Sequence, residues 1–302
     1  MAMKRLNKFM RLGLCILLIN IFCLQNVQAV FSEGKGNKSE GRELIDTRYI
    51  DYNGVKVNVI IDRPESDEAD VLFVFHGTAI YDSNIIRAAE TMLKNTKKIV
   101  KRKNIVIISV AYPEQGLLFG DNIKEAEAAL LWTKHNASKE LGIKINKIYL
   151  LGHSQGGYLV TRLNTMYKTD GVIANGAGPI DLSYECKLNE TGNVQGPKLK
   201  KESVEAVCGV LRKEYGSVFE NPAPYRDRSL INFTSGYKSR IIFIQGMKER
   251  GTQMILYSGF KEKVSRCTDC AEYKFSEIET SGHGAAFENS KAIEEINNFL
   301  SD

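Results

Sequence analysis

The sequence predicts an α/β fold with a mostly parallel central sheet and helices on both faces. Three observations carry that prediction. Two continuous apolar runs of strand length, "DVLFVFHG" and "NIVIISVAYP", have the form of strands covered on both sides. From there to the C-terminus, strand-like and helix-like segments alternate, as in a sheet built from crossover units. Finally, "KIYLLGHSQGGYLVTRL", Lys147 to Leu163, sets glycines around one serine where a strand gives way to a helix.

The elements follow in chain order. "TRYIDYNGVKVNVIID" alternates around Asn53-Gly54, a strong hairpin signal. A helix from about Ile85 to Val100 separates the two apolar strands. "NIKEAEAALLWTKHNASKELG" carries apolar Ala126, Ala129 and Leu130, with Gly142 where a helix would end. "KIYLLGHS" reads as a strand, "GGYLVTRLNTMY" as a helix and "GVIANGAG" as a strand. "RIIFIQG", "QMILYSGFKEKV", "AEYKFSEIE" and "SKAIEEINNFL" then continue as strand, helix, strand and closing helix. The interval from Asp181 to Ser239 is too long for a plain connection. Within it Val204, Val207, Cys208 and Leu211 keep helical spacing behind Ser203, a candidate N-cap, and Gly216 follows. This predicts a small cap, about residues 182–238, inserted between the sixth and seventh strands at the strand ends where ligands bind.

The N-terminus reads as an export signal over residues 1–29. Lys4, Arg5, Lys8 and Arg11 precede the apolar run "LGLCILLINIFCL", and "VQA" offers small residues for cleavage. Cys23 follows "IF" rather than the small residues of a lipoprotein signal. Residues 30–44 are polar and aperiodic, a flexible lead-in, and 45–302 form one domain. The expected location is therefore periplasmic or secreted, with no stable membrane insertion once the signal is removed. The formal charge is +5, but residues 1–29 hold four basic and no acidic residues, so the remainder is near neutral at +1. That balance gives no reason to expect nucleic acid as a partner.

Cys15 and Cys23 leave with the signal. Cys186, Cys208, Cys267 and Cys270 remain, an even set in an exported chain, so disulfides are expected. The local pairing, Cys186 with Cys208 and Cys267 with Cys270, is the simplest of three connectivities. "CTDC" could instead be a redox pair or half of a zinc site, but no second half stands at metal spacing. No metal or cofactor is expected.

"GHSQG" at 152–156 fits G-x-S-x-G in the strand–turn–helix context that pattern requires. Gly152 and Gly156 make room for a sharp turn that projects Ser154, and the Gln155 N–H opens the helix toward any oxyanion formed there. A serine nucleophile needs a base. Of four histidines, His153 lies on the turn and points away from the serine, and His135 belongs to a surface helix. His76 closes a strand and braces its turn. His283 in "ETSGHGAAF" follows the last strand, which brings it to the edge that carries Ser154. The third member should be a carboxylate in the order serine, acid, histidine. Glu249, just beyond "IIFIQG", is the candidate, with Asp181 as substitute. A second oxyanion donor should come from "HGTAI", where the Thr78 N–H is the natural choice.

These motifs resemble an α/β-hydrolase. "GHSQGGYL", "GAGPIDL", "YRDRSLINF", "IIFIQGMKE" and "SGHGAAFEN" follow the order of the catalytic domains of prolyl-oligopeptidase-like proteins, over about residues 55–302. The resemblance implies Ser154 as nucleophile, His283 as base, Glu249 as acid, and Gln155 with Thr78 as oxyanion donors. It also implies an aspartate where this chain has Glu249. Peptidases of that family usually carry a β-propeller, and the segment before residue 45 is too short to supply one. The reading therefore favours a serine esterase acting on a small acyl ester. A serine peptidase taking short peptides is the alternative, and a hydrolase-fold binding protein without turnover is a second.

Overall fold

The computed structural model describes residues 44–79, 81–112, 123–194, 198–249 and 251–301. The expected signal and lead-in lie outside these residues, save Leu44, which opens the first strand.

Strands β1 (Leu44–Tyr52) and β2 (Val55–Arg63) form the expected hairpin. Asn53 and Gly54 both take positive φ, 53° and 82°, the turn whose twist matches paired strands. The Asp51 carboxylate accepts the Gly54 N–H at 3.0 Å and closes the turn. The two apolar runs become β3 (Glu68–Phe75) and β4 (Ile105–Ala111), with helix α1 (Ile85–Ile99) between them. Helix α2 (Ile123–Trp132) runs through a wide π-type turn at Thr133–Ala137 into α3 (Ser138–Leu141). Gly142 stops it in the left-handed conformation at φ 65°.

Strand β5 (Lys144–His153) leads into α4 (Gln155–Met166), and β6 (Gly171–Asn175) follows. The cap consists of α5 (Leu182–Glu190), α6 (Lys198–Tyr215) and the short α7 (Ala223–Arg226). The chain then returns through β7 (Ile241–Gly246), α8 (Thr252–Ser265), β8 (Tyr273–Ile278), α9 (Ala285–Glu288) and α10 (Ser290–Ser301). Strand order is β1-β2-β4-β3-β5-β6-β7-β8. Only β2 runs against its neighbours; the pairs from β4 to β8 are all parallel.

Side chains alternate across this sheet with period two, so each strand feeds two cores. Phe73, Val106, Ile108 and Leu150 pack with Leu130 of α2, Leu159 of α4 and Phe260 of α8. Leu72, Val74, Ile107 and Leu151 face the other way, onto Met92 and Leu93 of α1 and Ile296 of α10. Burial on both faces is why β3 is apolar from Val71 to Phe75 and β4 carries only Ser109 among apolar residues.

Two cap details differ from expectation. Helix α6 starts at Lys198, so Ser203 lies inside it rather than capping it. Lys198 and Lys201 of its first turn are exposed, and the buried apolar residues begin at Val204. Asp181 is itself a cap: its carboxylate accepts the Tyr184 N–H at 3.1 Å and starts α5. The disulfides are Cys186–Cys208, joining α5 to α6, and Cys267–Cys270 in the loop after α8. The latter pairing is a closed bridge, which leaves no free thiol there to hold zinc. No helix among the described residues is long and apolar enough to cross a membrane.

Candidate active site

The turn at Ser154 is sharp because two glycines let backbones meet. A Cβ on Gly152 would lie 2.0 Å from the Gly156 carbonyl oxygen, and one on Gly156 would lie 2.1 Å from that of Phe75. Those contacts fold α4 back over the ends of β5 and β3. Ser154 itself sits at φ 57°, ψ −116°, a conformation that costs a non-glycine residue about 1–3 kcal/mol. Its N–H donates to the Asn175 carbonyl at 2.9 Å, and its own carbonyl accepts the Tyr158 N–H at 3.2 Å. The hydroxyl makes no cap bond to the helix it introduces, so the strain is not explained by helix capping.

Loops after β7 and β8 supply the remaining groups. The Met247 N–H donates to Ile278 O at 3.0 Å and the Lys248 N–H to Ser281 O at 2.9 Å, lacing the loops together. Gly246 allows this: a Cβ there would stand 1.9 Å from Gly282 O. The result brings His283 Nδ1 to 3.0 Å from Glu249 Oε1. Glu249 has only 7% of its side chain exposed, whereas His283 has 39%, so the imidazole is the wet end of the pair. The other carboxylate oxygen accepts Gln245 Nε2 at 2.9 Å. Gln245 is buried in β7, and only structure reveals it as a partner of Glu249.

Ser154, His283, Glu249 and Thr78 all line one cavity of about 1100 Å³. Thr78 follows β3, and Gly77 beside it packs against Ser154, where an added Cβ would meet Ser154 Cβ at 3.2 Å. Gln155 is the first residue of α4. The cap contributes Leu182, Glu185, Val204 and Val207 to the wall, and α1 contributes Arg87, Ala88 and Met92.

The other histidines separate by contact. His135 is at the surface, 2.7 Å from the Tyr52 hydroxyl. His76 is buried, stacks on Tyr112 at 4.2 Å between centroids, and its Nδ1 lies 2.6 Å from Gly77 O. Burial pushes its pKa down to about 4, so it braces the turn as a neutral ring. His153 departs from expectation. It does not turn away: it lines the cavity, and its ring centroid lies 4.7 Å from that of His283. Burial first, and the neighbouring His283 second, push its pKa down to about 3. Regular alternation along β5 would turn this side chain away from the serine, and the positive φ of Ser154 breaks that alternation.

Comparison with known proteins agrees with this geometry at the level of the fold. A family model described as an alpha/beta hydrolase fold matches residues 72–182. The fold is that of the α/β-hydrolases. An esterase of Pyrococcus furiosus superposes with a TM-score of 0.59 at 15% identity, covering 86% of this chain and 90% of that one. Est1E from Butyrivibrio proteoclasticus gives 0.55 at 16% identity, covering 84% and 97%. The acylaminoacyl peptidase of Pyrococcus horikoshii gives 0.53 at 14% identity, covering 85% of this chain but 41% of the peptidase. No curated protein matches the chain at a significant level.

Proposed function

We propose that this protein is an exported serine hydrolase that cleaves a small carboxylic ester through an acyl-enzyme. One observation carries the reading: a serine strained to φ 57° shares a cavity with a histidine 3.0 Å from a nearly buried carboxylate. Ser154 Oγ attacks the ester carbonyl while His283 takes its proton. The oxyanion is held by the Gln155 and Thr78 N–H groups, and the alcohol leaves with the proton from His283. Water then enters by the same route in reverse and releases the acid. Glu249 holds the imidazole with its proton on Nδ1 and stabilises its cation.

The helical cap favours esters, because it walls the cavity with Leu182, Val204 and Val207 beside the polar site. The peptidase reading is supported by the likeness to the acylaminoacyl peptidase and by the order of motifs in the latter half of the chain. Export is supported by the two disulfides, which persist in oxidising compartments.

A fluorophosphonate probe should label the wild-type protein and not Ser154→Ala. p-Nitrophenyl esters of rising chain length, run beside aminoacyl anilides, should show turnover of the esters first. Equal labelling of both proteins would sink the assignment of Ser154.

A further inference from the structure

One residue outside the proposed machinery bonds both the Ser154 turn and the His283 loop. Asn175 ends β6 and is fully buried. Its carbonyl accepts the Ser154 N–H at 2.9 Å. Its side-chain oxygen accepts the Ala286 N–H at 3.2 Å, just beyond His283. Its Nδ2 donates to His153 Nδ1 at 2.8 Å and reaches the His283 carbonyl at 3.4 Å. One amide therefore bonds the serine turn on one side and the histidine loop on the other.

We propose that Asn175 is a positioning residue: it holds His283 in register with Ser154, partly through the ring of His153. Receiving a bond on Nδ1, His153 carries its proton on Nε2. Its neutral ring then lies between His283, 4.7 Å away, and Phe287, which meets it edge-on at 5.6 Å. His283 is thus bounded by Glu249 at its Nδ1 edge and by His153 beside its ring. Gly176, next in the chain, shows how close this approach is. It takes φ 52°, and a Cβ on it would stand 2.9 Å from His283 Nδ1. Aspartate lacks the donors, and serine is too short to span from His153 to Ala286.

The inference rests on the hydrolase reading only for its kinetic test. Asn175→Asp keeps shape and the acceptor for Ala286 but removes both donated bonds. On p-nitrophenyl butyrate it should lower kcat by about ten- to a hundredfold, the scale of a small misplacement of a reacting group, with KM within about twofold. His153→Phe keeps the packed ring and loses the Nδ1 acceptor; a smaller fall, about three- to tenfold, is expected. It decides the matter if Asn175→Asp does not fold. The downfield NMR resonance of the His283 Nδ1 proton reads the same placement without turnover, and it should shift or broaden in both variants. Folded variants that keep wild-type kcat and an unmoved resonance would overturn the role of Asn175. Absence of turnover and of Ser154 labelling in the wild type defeats the hydrolase reading instead. The resonance then still decides whether Asn175 positions His283.

Discussion

Glu249 is one methylene longer than the aspartate implied at its position, and the structure shows how the chain accommodates it. Its N–H donates back to Gly246 O at 3.2 Å, turning the loop early, and Gln245 anchors the far oxygen. The arm then spans to His283 without exposing the carboxylate. Glu249→Gln should lower kcat by about three to four powers of ten, because an amide favours the wrong imidazole tautomer, while the near-isosteric change leaves the fold intact. Asp181→Asn should stay within about threefold, roughly 0.6 kcal/mol of barrier, since asparagine caps α5 as well as aspartate does. Steady-state kinetics on one ester separates the two. Loss of turnover in the Asp181 variant with retention in the Glu249 variant would move the acid to the cap and leave Ser154 and His283 in place. At this scale the meeting of Ser154, Glu249 and His283 at one cavity was legible because each is tied to a strand end by a short local motif. Asn175 and the direction of His153 were not, since their contacts join segments distant in sequence, and Gln245 was not, since a glutamine inside a buried strand belongs to no local motif.

The elements divide in the same way. Strands buried on both faces announce themselves as apolar runs, and Gly142 marks the end of α3 through a backbone conformation that glycine favours. Helix α5 gave no such signal, because it buries Ser183 and Glu185 alongside Leu182 and Cys186, which blurs the apolar period. What holds α5 is covalent and polar. Cys186 is bridged to Cys208 of α6, and the buried Glu185 accepts the Thr252 hydroxyl at 2.5 Å at the start of α8. The bridge closes a loop with a sequence separation of 22, for which chain entropy gives about 3 kcal/mol. Cys186→Ser/Cys208→Ser should therefore lower the urea-unfolding free energy by roughly that amount. Cys267→Ser/Cys270→Ser, across a separation of 3, should cost clearly less. Equal losses from the two pairs would show that the cap is held by packing rather than by its bridge.

Across the whole molecule, the site's position at the sheet edge has a consequence for stability. The chain places His76 at the end of β3 and His153 at the end of β5, two neighbouring strands, with His76 buried and His153 half-buried at the cavity wall. Burial holds both rings neutral, His76 down to about 4 and His153 down to about 3. In the unfolded chain each titrates near its ordinary value of about 6.5. Below that pH the unfolded chain takes up protons that the folded protein refuses, so the balance shifts toward unfolding. The stability these groups confer is complete above about pH 6.5 and drains as pH falls toward about 4 and 3, by at most about 1.4 kcal/mol per histidine per pH unit. Unfolding free energy measured in urea at pH 7, 6 and 5 should fall along this series. His76→Gln/His153→Phe should flatten most of the slope, since glutamine can still donate to Gly77 O and phenylalanine still packs against His283, and neither side chain takes up a proton. A slope unchanged in that double variant would assign the acid loss to other groups and show that the two rings can be protonated inside the fold at little cost.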